Sequence, residues 1–176
     1  MRALAAILLC FAPALTAREK APPSARASNA KVEIAATLYA TSEAIREQLG
    51  ADLDAGFFVV KVDVTPRGGQ ILNVVRDDFL LRSYKNGQKC QPFAPSQIAG
   101  SGALALTATG KPVVTATAEH KEDPLLAALK AKVLPEKKTA EPVSGLLYFS
   151  LEGKYKPKDL VLQYQTPAGV LSLAFK

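Results

Sequence analysis

The clearest signal along the chain is an alternation over residues 55–65 (AGFFVVKVDVT). It places Phe58, Val60, Val62 and Val64 on one face and Lys61, Asp63 and Thr65 on the other. A period of two sustained over this length predicts a half-buried β-strand. Pro66-Arg67-Gly68-Gly69 follows as a turn, with Pro presetting φ and the glycines permitting positive φ. Residues 70–82 return as a second strand region whose apolar phase slips at Asp77-Asp78, which predicts a bulge or a break there. Upstream, residues 31–40 (KVEIAATLYA) alternate with Val32, Ile34, Ala36 and Leu38 on one side. A short helix then follows: Ser42 as its cap, Glu43 at its positive end, Ile45 and Leu49 four apart, Gly50 as its stop.

Beyond the Asn86-Gly87 turn the pattern blurs. Residues 91–111, with Gly100-Ser101-Gly102 and the run ALALTATG, read as strand or loop, whereas residues 113–118 (VVTATA) have strand propensity. Asp123-Pro124 opens a second helix, N-cap then N1, with Leu125, Leu126, Leu129 and Val133 as its apolar stripe and Pro135 ending it. Residues 136–142 read as a charged linker. Three strands close the chain, at 143–151, 159–165 and 170–175, and in the last Leu171, Leu173 and Phe175 point inward. Residues 154–158 and Thr166-Pro167-Ala168-Gly169 are the turns between them. About seven short strands, two short helices, no strand–helix alternation and no internal repeat predict an all-β chain folded as an antiparallel β-sandwich.

The N-terminus changes how the composition reads. Residues 1–17 (MRALAAILLCFAPALTA) have the form of a signal peptide, with Arg2 as the n-region, an apolar stretch, and Leu15-Thr16-Ala17 as a small-residue cleavage site. The apolar run falls short of the roughly 20 residues that span a bilayer. Leu9 before Cys10 argues against a lipid-modified cysteine, where a small residue is required. Residues 18–30 (REKAPPSARASNA) have no hydrophobic period and read as a flexible tether, leaving 31–176 as the folded domain. Of 176 residues, 48% are hydrophobic and the net charge is +6. Without the leader the charge is +5, and the apolar share falls to about 44%, ordinary for a globular domain. Cys10 also leaves, so Cys90 is the one remaining thiol; an internal disulfide is excluded, and an inert thiol is preferred over pairing between chains. The chain is thus expected to be exported, periplasmic or extracellular, with no transmembrane segment once the leader is removed.

Three segments carry a resemblance. The strand GFFVVKVDVT (56–65), the Asp78-Phe79-Leu80-Leu81 step after it, and Gly145-Leu146-Leu147-Tyr148-Phe149 followed by PKDLVLQY (157–164) are similar to bacterial extracellular immunoglobulin-like domains, the telokin-like, immunoprotective-antigen-like group. The resemblance covers roughly 32–82 and 143–176, and the chain departs from it at 91–140. It implies an exported immunoglobulin-like sandwich, in a family of largely unknown function with no catalytic residues to carry over. Fold analogy licenses no activity by itself.

His120 is the sole imidazole and lies in a charged run, Glu119-His120-Lys121-Glu122-Asp123, with no nucleophile motif beside it. Asp77-Asp78 and the Asp52, Asp54 pair lack the spacing of a calcium loop and read as turn residues. Copper lacks its soft ligands, and Gly68-Gly69 has neither the helix nor the Lys-Ser/Thr of a phosphate loop. No catalytic residue, metal or cofactor is expected.

The lysines remain. Lys130, Lys132, Lys137 and Lys138 surround the second helix end, and Lys154, Lys156 and Lys158 crowd one turn. If the two groups adjoin, they form a patch for anionic partners; the plainer reading is a solubilising surface. Nucleic acid is not an expected partner, since the lysine turn offers only Tyr155 for stacking. The expected function is an exported, non-catalytic binding or scaffolding module of the bacterial cell envelope with a protein partner. Its alternative is an electrostatic binder of anionic polymers or lipid headgroups, and more distantly a hydrolase with an unrecognised site. The leader makes a direct prediction: N-terminal sequencing of the exported protein begins at Arg18, and any other start refutes the assigned cleavage site.

Overall fold

The structure, a computed structural model, describes residues 21–54, 56–99, 123–166 and 169–176. The leader, most of the small-residue stretch with Gly100-Ser101-Gly102, the predicted strand at 113–118, His120 and Pro167-Ala168 lie outside the described residues.

The alternation at 55–65 becomes strand β3 (Phe57–Pro66), which pairs with β2 (Val32–Tyr39) on one side and β8 (Val143–Ser150) on the other. With β1 (Ser24–Ser28) at its edge, this is sheet one, in the order β1-β2-β3-β8. Sheet two is β10-β9-β5-β6, formed by Gly169–Ala174, Leu160–Thr166, Phe79–Ser83 and Lys89–Cys90. Every strand pairing within the two sheets is antiparallel. Ile34, Leu38, Val60, Val62, Val64, Leu147 and Phe149 of sheet one share a single core with Phe79, Leu81, Leu162, Leu173 and Phe175. Two antiparallel sheets closed over one core make a β-sandwich, as the pattern predicts.

Several segments depart from the predicted elements. The segment predicted to be a tether is strand over Ser24–Ser28, where it pairs with Ser28↔Glu33 through Ser24↔Thr37, and Ala25 and Ala27 pack against the core. Two alanines bury too little apolar surface to give a hydrophobic period, so the backbone ladder, not side-chain burial, holds this strand. The predicted charged linker contains β7 (Lys137–Thr139), paired with β4 (Leu72–Val74) in a two-stranded ribbon. The phase slip at Asp77-Asp78 is a 3-10 turn over Arg76–Asp78 that separates β4 from β5. The described residues therefore hold ten strands rather than about seven. They also hold three α-helices rather than two: α1 (Ser42–Leu49), α2 (Pro95–Ala99) and α3 (Pro124–Lys132).

Local chemistry sets the helix ends. Thr41, not Ser42, caps α1, its hydroxyl accepting from the Ala44 N–H at 3.3 Å, and Gly50 closes the helix at φ 80° with its N–H donating to the Arg46 carbonyl. The carboxylate of Asp123 accepts from the Leu125 N–H at 2.9 Å at the start of α3, with Pro124 just inside.

The helices cover the outer face of sheet one. Ile45 and Leu49 of α1 and Leu129 of α3 close with Val59, Leu146 and Tyr148 into a second apolar cluster. The Tyr148 hydroxyl, buried with its ring, donates to the Leu129 carbonyl at 3.0 Å, and burial pushes the phenol well above its ordinary pKa. After α3 the chain crosses β8: the Leu134 N–H donates to the Leu146 carbonyl at 2.9 Å, and the Leu134 side chain enters the main core. The crossing is so close that a Cβ on Gly145 would sit 2.3 Å from the Leu134 Cα. The Phe93 N–H likewise donates to the Tyr148 carbonyl at 2.7 Å, so loops occupy the outer edge of β8 and block it from pairing with another chain. Gly145→Ala is expected to destabilise the fold by about 2 kcal/mol or more, because backbone rather than a flexible side chain must yield. Urea denaturation of the variant checks it, and an unchanged midpoint would show that the crossing is not rigid.

Candidate functional site

The structure sorts the seven predicted lysines into three places. Lys154, Lys156 and Lys158 lie on the β8–β9 connection, exposed, at the end of the sandwich where Phe57 pairs with Ser150. Lys137 and Lys138 are on β7, opposite Val74 and Asn73. The β4–β7 ribbon lies between the end of β3 at Pro66 and the start of β5 at Phe79, the opposite end of the sandwich. Eight residues of β8 separate the two groups, roughly 23 Å of extended chain. The third place is the outer face of sheet one, where the Lys132 ammonium donates to the Gln48 and Leu49 carbonyls at 2.7 and 3.0 Å and so caps the C-terminus of α1. Lys130 lies beside it, with Lys61, on a shallow cavity of about 520 Å³. The seven do not form one patch.

The structure instead joins Lys154, Lys156 and Lys158 to the β5–β6 turn, and Tyr155 is the joint. Its hydroxyl accepts from the Asn86 side-chain amide at 2.7 Å, and the Gln88 side-chain oxygen and Glu152 carbonyl lie at 2.8 and 2.7 Å to take its proton. Its ring meets Phe58 edge-on at 6.2 Å, and the Lys85 ammonium stands 6.0 Å from the ring centre. Lys85 also donates to the Lys154 carbonyl at 3.3 Å, and the Asp159 carboxylate accepts from the Lys156 N–H at 3.0 Å. These bonds fix two exposed turns against each other. Lys85 and Lys89 therefore belong with Lys154, Lys156 and Lys158, and Tyr84, 62% exposed, stands at the same end. Only Glu152 and Asp159 offset these five cations on the two turns, and Asp159 is already engaged as a cap. Sequence reasoning missed Lys85 and Lys89. The Asn86-Gly87 turn marks their location, but nothing in the sequence says which other turn it meets.

The other candidate groups serve the fold. Asp52 pairs with Arg46 at 2.6 Å, and Asp77-Asp78 sit in the 3-10 turn. Burial pushes the Cys90 thiol up, opposed by a backbone hydrogen bond at Ser150, so it stays protonated at neutral pH. No group of three or more metal-ligating side chains occurs among the described residues, and none of their helices is long and apolar enough to cross a membrane.

At the opposite end the sheets part around a cavity of about 480 Å³. The β1–β2 turn, the segment after Gly69, and the end of β9 line it. Asp78 is among its walls; its carboxyl is raised by burial first and then by Asp77, and the Tyr164 phenol is raised by burial and by Asp78.

No family model and no curated protein matches the chain. Among solved structures, the secreted protein MPT63 of Mycobacterium tuberculosis aligns with TM-score 0.44 and 11% identity over 86% of this chain and 92% of that one.

An ion pair holds the ribbon that carries Lys137 and Lys138. The Glu136 carboxylate accepts from the Arg76 guanidinium at 2.9 Å and from the Arg76 N–H at 3.1 Å, and these bonds hold the carboxyl below its ordinary pKa. A depressed folded-state pKa stabilises the fold above the ordinary carboxylate range, and that contribution is lost as pH falls through the depressed value. Glu136→Gln is expected to cost about 1 kcal/mol or less at neutral pH, given the 41% exposure of Glu136, and to flatten the acid limb of the stability profile. Thermal melts of both proteins from neutral to acid pH measure it; parallel profiles would refute the assignment.

Proposed function

We propose that the protein is an exported, non-catalytic binding module of the bacterial cell envelope, and that its binding surface is the basic end of the sandwich, which takes an anionic polymer. The leader pattern supports export. The observation that carries the binding surface is the pair of turns tied through Tyr155, which bring Lys85, Lys154, Lys156 and Lys158 to the end of the sandwich where Tyr84 and Lys89 are also exposed. Lysines on mobile loops would lose conformational freedom on binding, whereas here the backbones are already fixed to one another. An exposed tyrosine at the cationic end suits a polymer whose anionic groups alternate with apolar ring faces, because the phenol supplies a flat contact for a ring.

Retention on immobilised polygalacturonate tests this reading. Binding is expected to weaken steeply from low salt to about 1 M, where the screening length falls to about 3 Å. The triple variant K154E/K156E/K158E is expected to bind at least about tenfold more weakly, with its melting temperature little changed, since exposed charges contribute little to stability. Binding that ignores salt, or survives the charge reversal, overturns the proposal. Equal capture by anionic phosphatidylglycerol vesicles would overturn the polymer in favour of a lipid surface.

A further inference from the structure

The cavity at the opposite end has a different chemistry. Four amide-bearing residues, Asn29, Gln70, Asn73 and Gln165, line it, together with Asp78, Tyr164 and Ile71. Among the described residues that line it, Lys31 is the only cation and Asp78 the only anion, so this lining is close to neutral. Each amide offers both donors and an acceptor, and the acid and phenol add to these. Part of this capacity is already used: the Asn29 side-chain oxygen accepts from the Lys31 and Val32 N–H groups at 2.8 and 2.9 Å, closing the β1–β2 turn and leaving its NH₂ as the available group. Asp78 makes no side-chain hydrogen bond among the described residues. Ile71 is 72% exposed, a large aliphatic side chain in water beside a polar cavity.

We infer that this cavity is a second binding site, for an uncharged saccharide. Vicinal hydroxyls each donate and accept, as amides do, so a ring of amides recognises them in pairs. Charged ligands find no matching excess of either sign. The C–H face of a sugar ring gives the exposed Ile71 an apolar contact. The volume of about 480 Å³ lies within the range of small-ligand sites. The site is independent of the basic end and stands if that reading fails.

Titration of the ¹⁵N-labelled protein with maltose, cellobiose and chitobiose tests it. At least one sugar is expected to move the backbone amides of Asn29, Lys31, Gln70 to Asn73 and Gln165 in a saturable way below about 20 mM, well above the ~1 mM dissociation constant of a weak site. Asn73 and Gln165 are both exposed, so the double variant N73A/Q165A keeps the fold and is expected to lose about tenfold in affinity. Ile71→Ser is expected to weaken binding as well. Absence of saturable shifts with all three sugars overturns the inference. So do shifts centred on the Tyr155 turns, or a double variant that binds as the parent does.

Discussion

Val59, Leu146 and Tyr148 point away from the sandwich core, yet they are as inaccessible to water as Val60 and Leu147, which point into it. Sheet one is therefore apolar on both faces where β3 meets β8, and most of the remaining structure answers to that. An antiparallel sheet can leave one face in water only if that face is polar, and here it is not. Helices α1 and α3 lie over it with Ile45, Leu49 and Leu129, and the tyrosine hydroxyl that would otherwise be buried alone finds the Leu129 carbonyl. For α3 to reach this face, the chain must then return to the core, and it does so across β8 at the one residue without a side chain, Gly145. Lys132 binds the end of α1 in the same layer, so its charge belongs to the architecture rather than to a surface available for partners.

The dependence explains which parts of the fold are legible in the sequence. β3 declares itself because its inward residues are all large, and its three consecutive buried positions, Phe58 to Val60, are followed by buried Val62 and Val64. The stop at Gly50 and the Asp123-Pro124 start are legible because capping is a local matter of three or four residues. β1 and β7 are not. Ser-Ala-Arg-Ala-Ser and Lys-Lys-Thr carry no apolar period, and what makes them strands is a partner whose identity is non-local. The helix at Pro95–Ala99 has the same character, being too short for its own periodicity to show.

The lysines show the same division. Their alternate spacing at 154, 156 and 158 is readable, although only Lys156 (φ −89° and ψ 152°) is extended and Lys158 sits in a 3-10 turn over Pro157–Asp159. What cannot be read is that Lys85 comes to meet them while Lys137 and Lys138 are carried to the other end on β7. Charge runs close in sequence separate in space whenever a strand intervenes, and β8 is that strand.

The two ends of the sandwich then differ for one reason: whether a large side chain fills the gap between the sheets. At the basic end Tyr155 turns inward against Phe58, joins the core as a partly buried member, and spends its hydroxyl on the neighbouring turn, so this end is closed and its chemistry lies on its outer surface. At the opposite end Ile71 has the bulk to do the same but stands in solvent, and the gap it leaves is lined by side-chain amides and by an acid whose charge burial disfavours. An apolar side chain held in water while a polar concavity lies open beside it carries a cost to folding that a filled end avoids. A closed end presents a convex charged surface, suited to an extended anionic chain, and an open end presents a concave neutral one, suited to a small ligand. The difference between the two surfaces follows from the position of two side chains, Tyr155 and Ile71, at the two mouths of one core.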